Sequence, residues 1–196
     1  MFGYFKRSLD VAKETGAKIL KADPLPWSKE QLLLSLNSQE DLKKWAIGCD
    51  KDIGGYSNAS LELTPEGKGR GSTLFGTPCW DTTLYRYLSI RAKGDNKKYL
   101  VNIQTDGPVI SDLFQHRLFL RKPGEWETIM IPFTDFILTN HGVIQEPQIE
   151  MYRERVRTIG ISLLMQPGPF CLELDWIKMI NTDETIGDYD RIHFGR

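Results

Sequence analysis

Glu173 and Asp175 stand two residues apart in a segment of alternating polar and apolar residues, a spacing that puts both carboxylates on one face of a strand. Paired carboxylates are the groups with which a glycoside hydrolase protonates its leaving group and attacks the sugar or activates water. Nothing near them in sequence resembles the rest of such a site. Phe170, Leu172, Leu174 and Trp176 alternate with them and take the apolar face, so a solvated polar pair is the expected state. Other chemistry finds less support. Ser57, Ser72 and Ser111 lack the strand-turn-helix elbow that exposes a nucleophile, and no catalytic residue is assigned. His116, His141 and His193 are far from one another, while Cys49, Cys79 and Cys171 form no CxxC pair, so neither a metal site, a cofactor site nor a disulfide framework is expected. Gly67 to Gly71 lacks the spacing of a phosphate-binding loop and reads as a glycine-rich hairpin.

Binding residues are easier to nominate. Asp52-Ile53-Gly54-Gly55 with Ser57 reads either as a partner-reading loop, in which adjacent glycines allow close backbone approach, or as a tight turn capped by Asp52. Arg153 and Arg155, followed by Arg157, form a basic patch at the entrance to a strand. The patch has no interleaved aromatics, so nucleic acid is not the expected partner, and an acidic protein surface or phospholipid headgroups fit it better. Phe2, Phe5 and Leu9 fall near one side of a helical projection of residues 2–20, with Lys6, Lys13 and Lys18 among the polar positions. Such an amphipathic helix suits a membrane surface or a groove on a partner. Trp27, Trp45, Trp80, Trp126 and Trp176 are the material of a sugar platform, although core or rim packing is the commoner use of tryptophan.

The elements that must position these residues are mostly strands. Gln31 to Leu36 is a short apolar strand, and Ser38 with Asp41 resembles a capping box opening a helix of one or two turns. Period-two alternation then covers Leu61–Thr64, Leu88–Arg91, Val101–Gln104, Ile129–Ile131, Ile159–Leu163 and Phe170–Trp176, punctuated by Gly-Asp-Asn, Asp-Gly-Pro, Pro-Gly and Gln-Pro-Gly-Pro turns. Many short strands with regular turns predict a sandwich or barrel. The 196 residues suffice for one large core, and the organisation expected is a helical arm and linker over 1–26, a β-sandwich domain over 27–181 and a tail over 182–196. A net charge of −1 supplies no global field for nucleic acid, and no apolar run approaches the roughly 20 residues of a membrane span.

The order of the motifs carries more than any one of them. Trp45 with Asp52-Ile53-Gly54-Gly55 and Ser57, then Gly71 with Phe75-Gly76, then Tyr87 to Arg91 with Gly94-Asp95 and Tyr99, resembles the first half of the complex I intermediate-associated protein 30 family. Gly124-Glu125-Trp126, Ile131-Pro132-Phe133 with Asp135-Phe136, Arg155-Val156 with Ile159-Gly160-Ile161, Gly168-Pro169-Phe170 and Leu172 to Ile177 resemble the second half in the same order. The resemblance implies an all-β fold, a galactose-binding-like jelly-roll sandwich, without catalytic chemistry or cofactor. It also implies a place on the matrix side of the mitochondrial inner membrane, soluble or peripheral. There the partners would be complex I membrane-arm subunits and other assembly factors. Two departures stand out: Asn96 where the family often has glycine, and Asp10 and Glu14 in a basic N-terminal segment where transit peptides avoid acids. The competing class is a carbohydrate-binding module of the same architecture.

Overall fold

A computed structural model describes residues 29–49, 59–64, 69–70, 79–109, 111–163 and 166–182. Phe2, Phe5 and Leu9, together with Asp52, Ile53, Gly54, Gly55 and Ser57, lie outside the described residues.

Leu33 and Leu34 open the first apolar run, and the strand β1 spans Glu30–Ser35. Ser38 then caps the short helix α1 (Gln39–Leu42), its hydroxyl accepting from the Asp41 amide at 3.1 Å and donating to the Asp41 carboxylate at 2.9 Å. The first of these is the N-cap bond of the capping box the sequence predicted, while the Asp41 carboxylate takes the Ser38 hydroxyl rather than its backbone amide. Ten further strands follow among the described residues: β2 (Glu62–Leu63), β3 (Gly69–Arg70), β4 (Tyr87–Gly94), β5 (Tyr99–Thr105), β6 (Asp112–Leu118), β7 (Glu127–Pro132), β8 (Ile137–Asn140), β9 (Val143–Ile144), β10 (Val156–Leu163) and β11 (Leu172–Ile180). All pairings among the described residues are antiparallel.

Two sheets result. One runs β2-β3-β11-β4-β7, with β1 also on β11, and the other runs β10-β5-β6-β8-β9. Their facing sides share a single apolar core. Leu88, Ile90, Leu172, Leu174, Ile177 and Ile131 come from the first sheet, and Tyr99, Val101, Ile103, Ile159, Ile161 and Leu118 from the second. This is the sandwich that the alternation and turns predicted, of the jelly-roll type that the resemblance implied.

β11 departs from its sequence pattern in one respect. The pairing with β4 shifts between Leu174 and Trp176, so Leu174 lies opposite Ala92 and Trp176 opposite Arg91. A bulge of this kind inserts one residue and reverses which face the following side chains take. Trp176 therefore leaves the apolar face predicted for it and lies on the outer side, while Ile177 and Met179 continue the core.

β6 carries a second irregularity of composition. His116 is directly opposite Val101 on the core side of the sheet, with its ring 5.6 Å from that of Phe136 and 6.0 Å from that of Phe119. Burial holds this imidazole below its ordinary value of 6.5, against the opposing pull of the backbone at Arg117 and the Asp135 carboxylate. A depressed folded value means that the unfolded chain takes up the proton first. Stability at His116 is thus intact above 6.5 and is lost as the pH falls from there toward the folded value. Urea unfolding at pH 7.5 and 5.5 should show a larger acid loss for the wild type than for His116→Phe. Equal losses would remove the effect.

Candidate functional site

The two carboxylates that opened the sequence reading sit on the outer side of the first sheet, and they are not solvated. Glu173 is 9% exposed and Asp175 8%. Each meets a cation from β4: Lys93 Nζ lies 3.2 Å from Glu173 Oε1, and Arg91 Nε lies 3.2 Å from Asp175 Oδ2. The register explains the pairing, since Glu173 is directly opposite Lys93 and the bulge brings Asp175 beside Arg91. The Arg91 guanidinium also lies 5.6 Å from the centre of the Trp126 ring, and Lys178 lies 4.7 Å from the centre of Trp176 while pairing with Glu30 at 3.1 Å. Alternation along β11 shows which face is polar. It does not show that a neighbouring strand supplies matching cations and an aromatic cover. The expectation of a solvated pair is corrected: these are partnered charges on a covered sheet face.

The arginines of the second patch divide by role. The guanidinium of Arg153 turns inward, donating through Nη2 to the Thr82 carbonyl at 2.5 Å and to the Tyr85 carbonyl, and it lies 4.9 Å from the centre of Phe133. The carbonyl of Arg153 in turn accepts from the Thr82 amide and hydroxyl at 2.9 and 3.1 Å. Burial draws this guanidinium below its usual value, with the carboxylates of Asp81, Glu150 and Glu154 pulling the other way. Arg155 is different. It pairs through Nη2 with Asp106 Oδ2 at 2.7 Å, Arg157 reaches the other oxygen of Asp106 at 3.7 Å, and both arginines are half exposed. One carboxylate between two guanidiniums leaves a local surplus of positive charge.

The motif residues meet at a third place. Asp95, in the turn between β4 and β5, accepts from the Lys97 amide and the Tyr99 hydroxyl at Oδ1, each at 2.9 Å, and from the Cys171 amide at Oδ2, at 2.8 Å. The Asp95 amide donates back to the Cys171 carbonyl at 3.2 Å, and the Gly124 amide donates to the Gly94 carbonyl at 2.8 Å. Gln166 exchanges two 2.8 Å bonds with the backbone of Lys98. The loops 95–98, 121–125 and 166–171 are thus tied together at one end of the sandwich. Burial first, and then the Asp95 carboxylate, push the Tyr99 phenol far above its ordinary value, which keeps it a donor to Asp95. Gly94 is packed closely there: a Cβ would lie 2.5 Å from Leu120 Cδ1 and 3.0 Å from Leu172 Cδ1, so those side chains would have to shift. Sequence reading identified these residues as motif members but gave them no contact. The bonds from Asp95 to Cys171 and from Lys98 to Gln166 span 76 and 68 residues of chain.

Among the described residues no three metal-ligating side chains come together. The described residues thus form a two-sheet sandwich in which motif residues tie loops together and the Glu173 and Asp175 carboxylates are paired with Lys93 and Arg91. Comparison with known proteins places it further. A family model described as complex I intermediate-associated protein 30 matches residues 34–174. The chain belongs to that family. Proteins named "Complex I intermediate-associated protein 30, mitochondrial" are similar to it in Neurospora crassa (46% identity, 55% of this chain and 40% of that protein), mouse (25%, 75% and 55%) and Drosophila melanogaster (27%, 76% and 62%). The chain thus spans 40% to 62% of the length of these relatives. Among solved structures an agarase shares the fold at TM-score 0.53 and 10% identity, over 79% of this chain and 25% of its own. A family 11 carbohydrate-binding module from Clostridium thermocellum aligns at TM-score 0.43 and 18% identity, over 64% and 81%.

Proposed function

We propose that the protein is a non-catalytic assembly factor of mitochondrial respiratory complex I. It binds membrane-arm assembly intermediates together with other assembly factors, on the matrix side of the inner membrane, as a soluble or peripheral protein. The observation that carries this reading is the family match over residues 34–174, joined by relatives from a fungus, an insect and a mammal that bear one name.

The physical basis of the activity is mass action. A scaffold that binds an incomplete subunit stabilises that conformer and covers its apolar surface until the proper neighbour arrives. Partnered carboxylates on β11 support binding rather than hydrolysis as the use of this sandwich. The loop bearing Asp52, Ile53, Gly54, Gly55 and Ser57 and the half-exposed Arg155 are proposed contacts, with Arg153 holding the turn from which Arg155 projects. Affinity purification of the tagged chain from gently solubilised mitochondria, followed by native electrophoresis, tests the reading. Co-migration with membrane-arm subunits in a large intermediate is expected.

A further inference from the structure

Among the described residues, most large apolar side chains left in solvent belong to one segment. Ile137 is 42% exposed, Val143 64%, Ile144 61%, Ile149 55% and Tyr152 50%. They lie on β8, on β9 at the end of the second sheet, and in the chain that follows. The hairpin that presents them is tightly specified: Asn140 pairs with Val143 across His141 and Gly142, both at positive φ (49° and 79°), the conformation that two-residue hairpin loops require. The Gln148 side chain fastens the return strand by accepting from the Leu138 amide at 2.6 Å and donating to the Leu138 carbonyl at 3.0 Å. Thr139 is opposite Ile144 and Leu113, so Ile137, Thr139, Ile144 and Leu113 share the outer face. An ordered, protruding apolar surface is therefore built at this edge, and a soluble domain commonly covers such a patch with a partner.

Charge indicates what kind of partner. From Ile137 to Tyr152 the chain has two carboxylates, Glu146 and Glu150, and no lysine or arginine. Glu146 and Glu150 flank the patch and are exposed, and Asp112 sits at the adjacent end of β6. Arg117, on this face, lies toward the far end of β6 and is 4.7 Å from the centre of the Phe119 ring, and the guanidinium of Arg153, next to Tyr152, is held by the Thr82 and Tyr85 carbonyls. An apolar patch with an acidic rim rejects acidic surfaces and anionic lipid headgroups and complements an apolar segment bearing lysine or arginine.

We infer that the β8–β9 hairpin and residues 149–152 form a docking surface for an apolar, basic segment of a partner protein. The inference rests on the assembly-factor reading for the partner's identity but not for its chemistry. Photo-crosslinking in intact mitochondria tests it, with p-benzoylphenylalanine placed in the full chain at Ile144 or, as a control, at Leu32, which is equally exposed on the other sheet. The adduct yield at 144 should exceed that at 32 by about tenfold, the ratio expected for a surface worth more than 1 kcal/mol per anchor, and the captured peptide should combine apolar residues with lysine or arginine. Equal yields, an adduct with a second copy of this chain, with lipid or with an acidic segment would overturn the inference. A basic apolar segment from a protein unrelated to complex I would uphold the surface while overturning the functional reading. Charge is tested separately by two substitutions of Ile144, which is 61% exposed. Ile144→Lys should weaken co-purification of the captured partner about tenfold, more than Ile144→Glu does. Equal losses, or the reverse order, would contradict the basic assignment.

Discussion

Asp95→Ala is expected to lower stability by about 4 kcal/mol, the largest effect of any single change outside the apolar core. Three donors lose their acceptor at once: the Lys97 amide, the Tyr99 hydroxyl and the Cys171 amide. Tyr99 is fully buried, so no solvent replaces the carboxylate for its hydroxyl, and each orphaned buried donor costs roughly 1–3 kcal/mol. In a domain of this size the change amounts to a fall of about 10 °C in Tm. Asp95→Asn should lie between, because the amide keeps one acceptor oxygen but turns a donor toward the Cys171 amide. Thermal and urea unfolding of the three proteins measures the series. An alanine variant within about 0.5 kcal/mol of the wild type would show that the three loops are held by packing alone.

Arg153→Ala should cost about 3 kcal/mol and act locally as well as globally. Two carbonyls, those of Thr82 and Tyr85, lose a charged donor, and the stacked guanidinium over Phe133 disappears. The backbone bonds from Thr82 to the Arg153 carbonyl do not depend on the side chain and should survive. The expected result is a lowered unfolding midpoint together with faster proteolysis of residues 81–86. Arg153→Lys should restore less than half, since one ammonium cannot reproduce the planar fork. Arg155→Ala provides the contrast. Its partner Asp106 and its own head group are partly in solvent, and the loss should stay below about 1 kcal/mol. Equal destabilisation by the two alanine variants would refute the division of roles.

How far the sequence revealed this molecule depends on whether a feature is local. Strands with clean alternation, β4, β5, β7 and β10, were readable to within three residues at their ends, as was the Ser38 cap. β6, β8 and β9 were not read as strands. β6 places His116 toward the core and Leu113 away from it, so its pattern contradicts its burial, and β8 and β9 are too short for periodicity to register. The bulge in β11 leaves no local signal, and so Trp176 was assigned to the wrong face and the carboxylates were left without partners. The candidate site suffered most from this. Arg153 was legible as one of a basic run, but its carbonyl partners lie about 70 residues earlier in the chain. The apolar hairpin lies in a lysine- and arginine-free stretch rich in isoleucine, but only the structure separates the exposed Ile137, Ile144 and Ile149 from the buried Ile129 and Ile131.

The central claim is that this sandwich acts by binding a complex I intermediate, and affinity purification of the tagged chain from gently solubilised mitochondria addresses it most directly. If the claim holds, native electrophoresis of the bound material shows the chain in a large species containing membrane-arm subunits and other assembly factors. A chain that migrates alone, or that is absent from mitochondria, would contradict it and leave only the fold in common with the assembly factors that bear the family name.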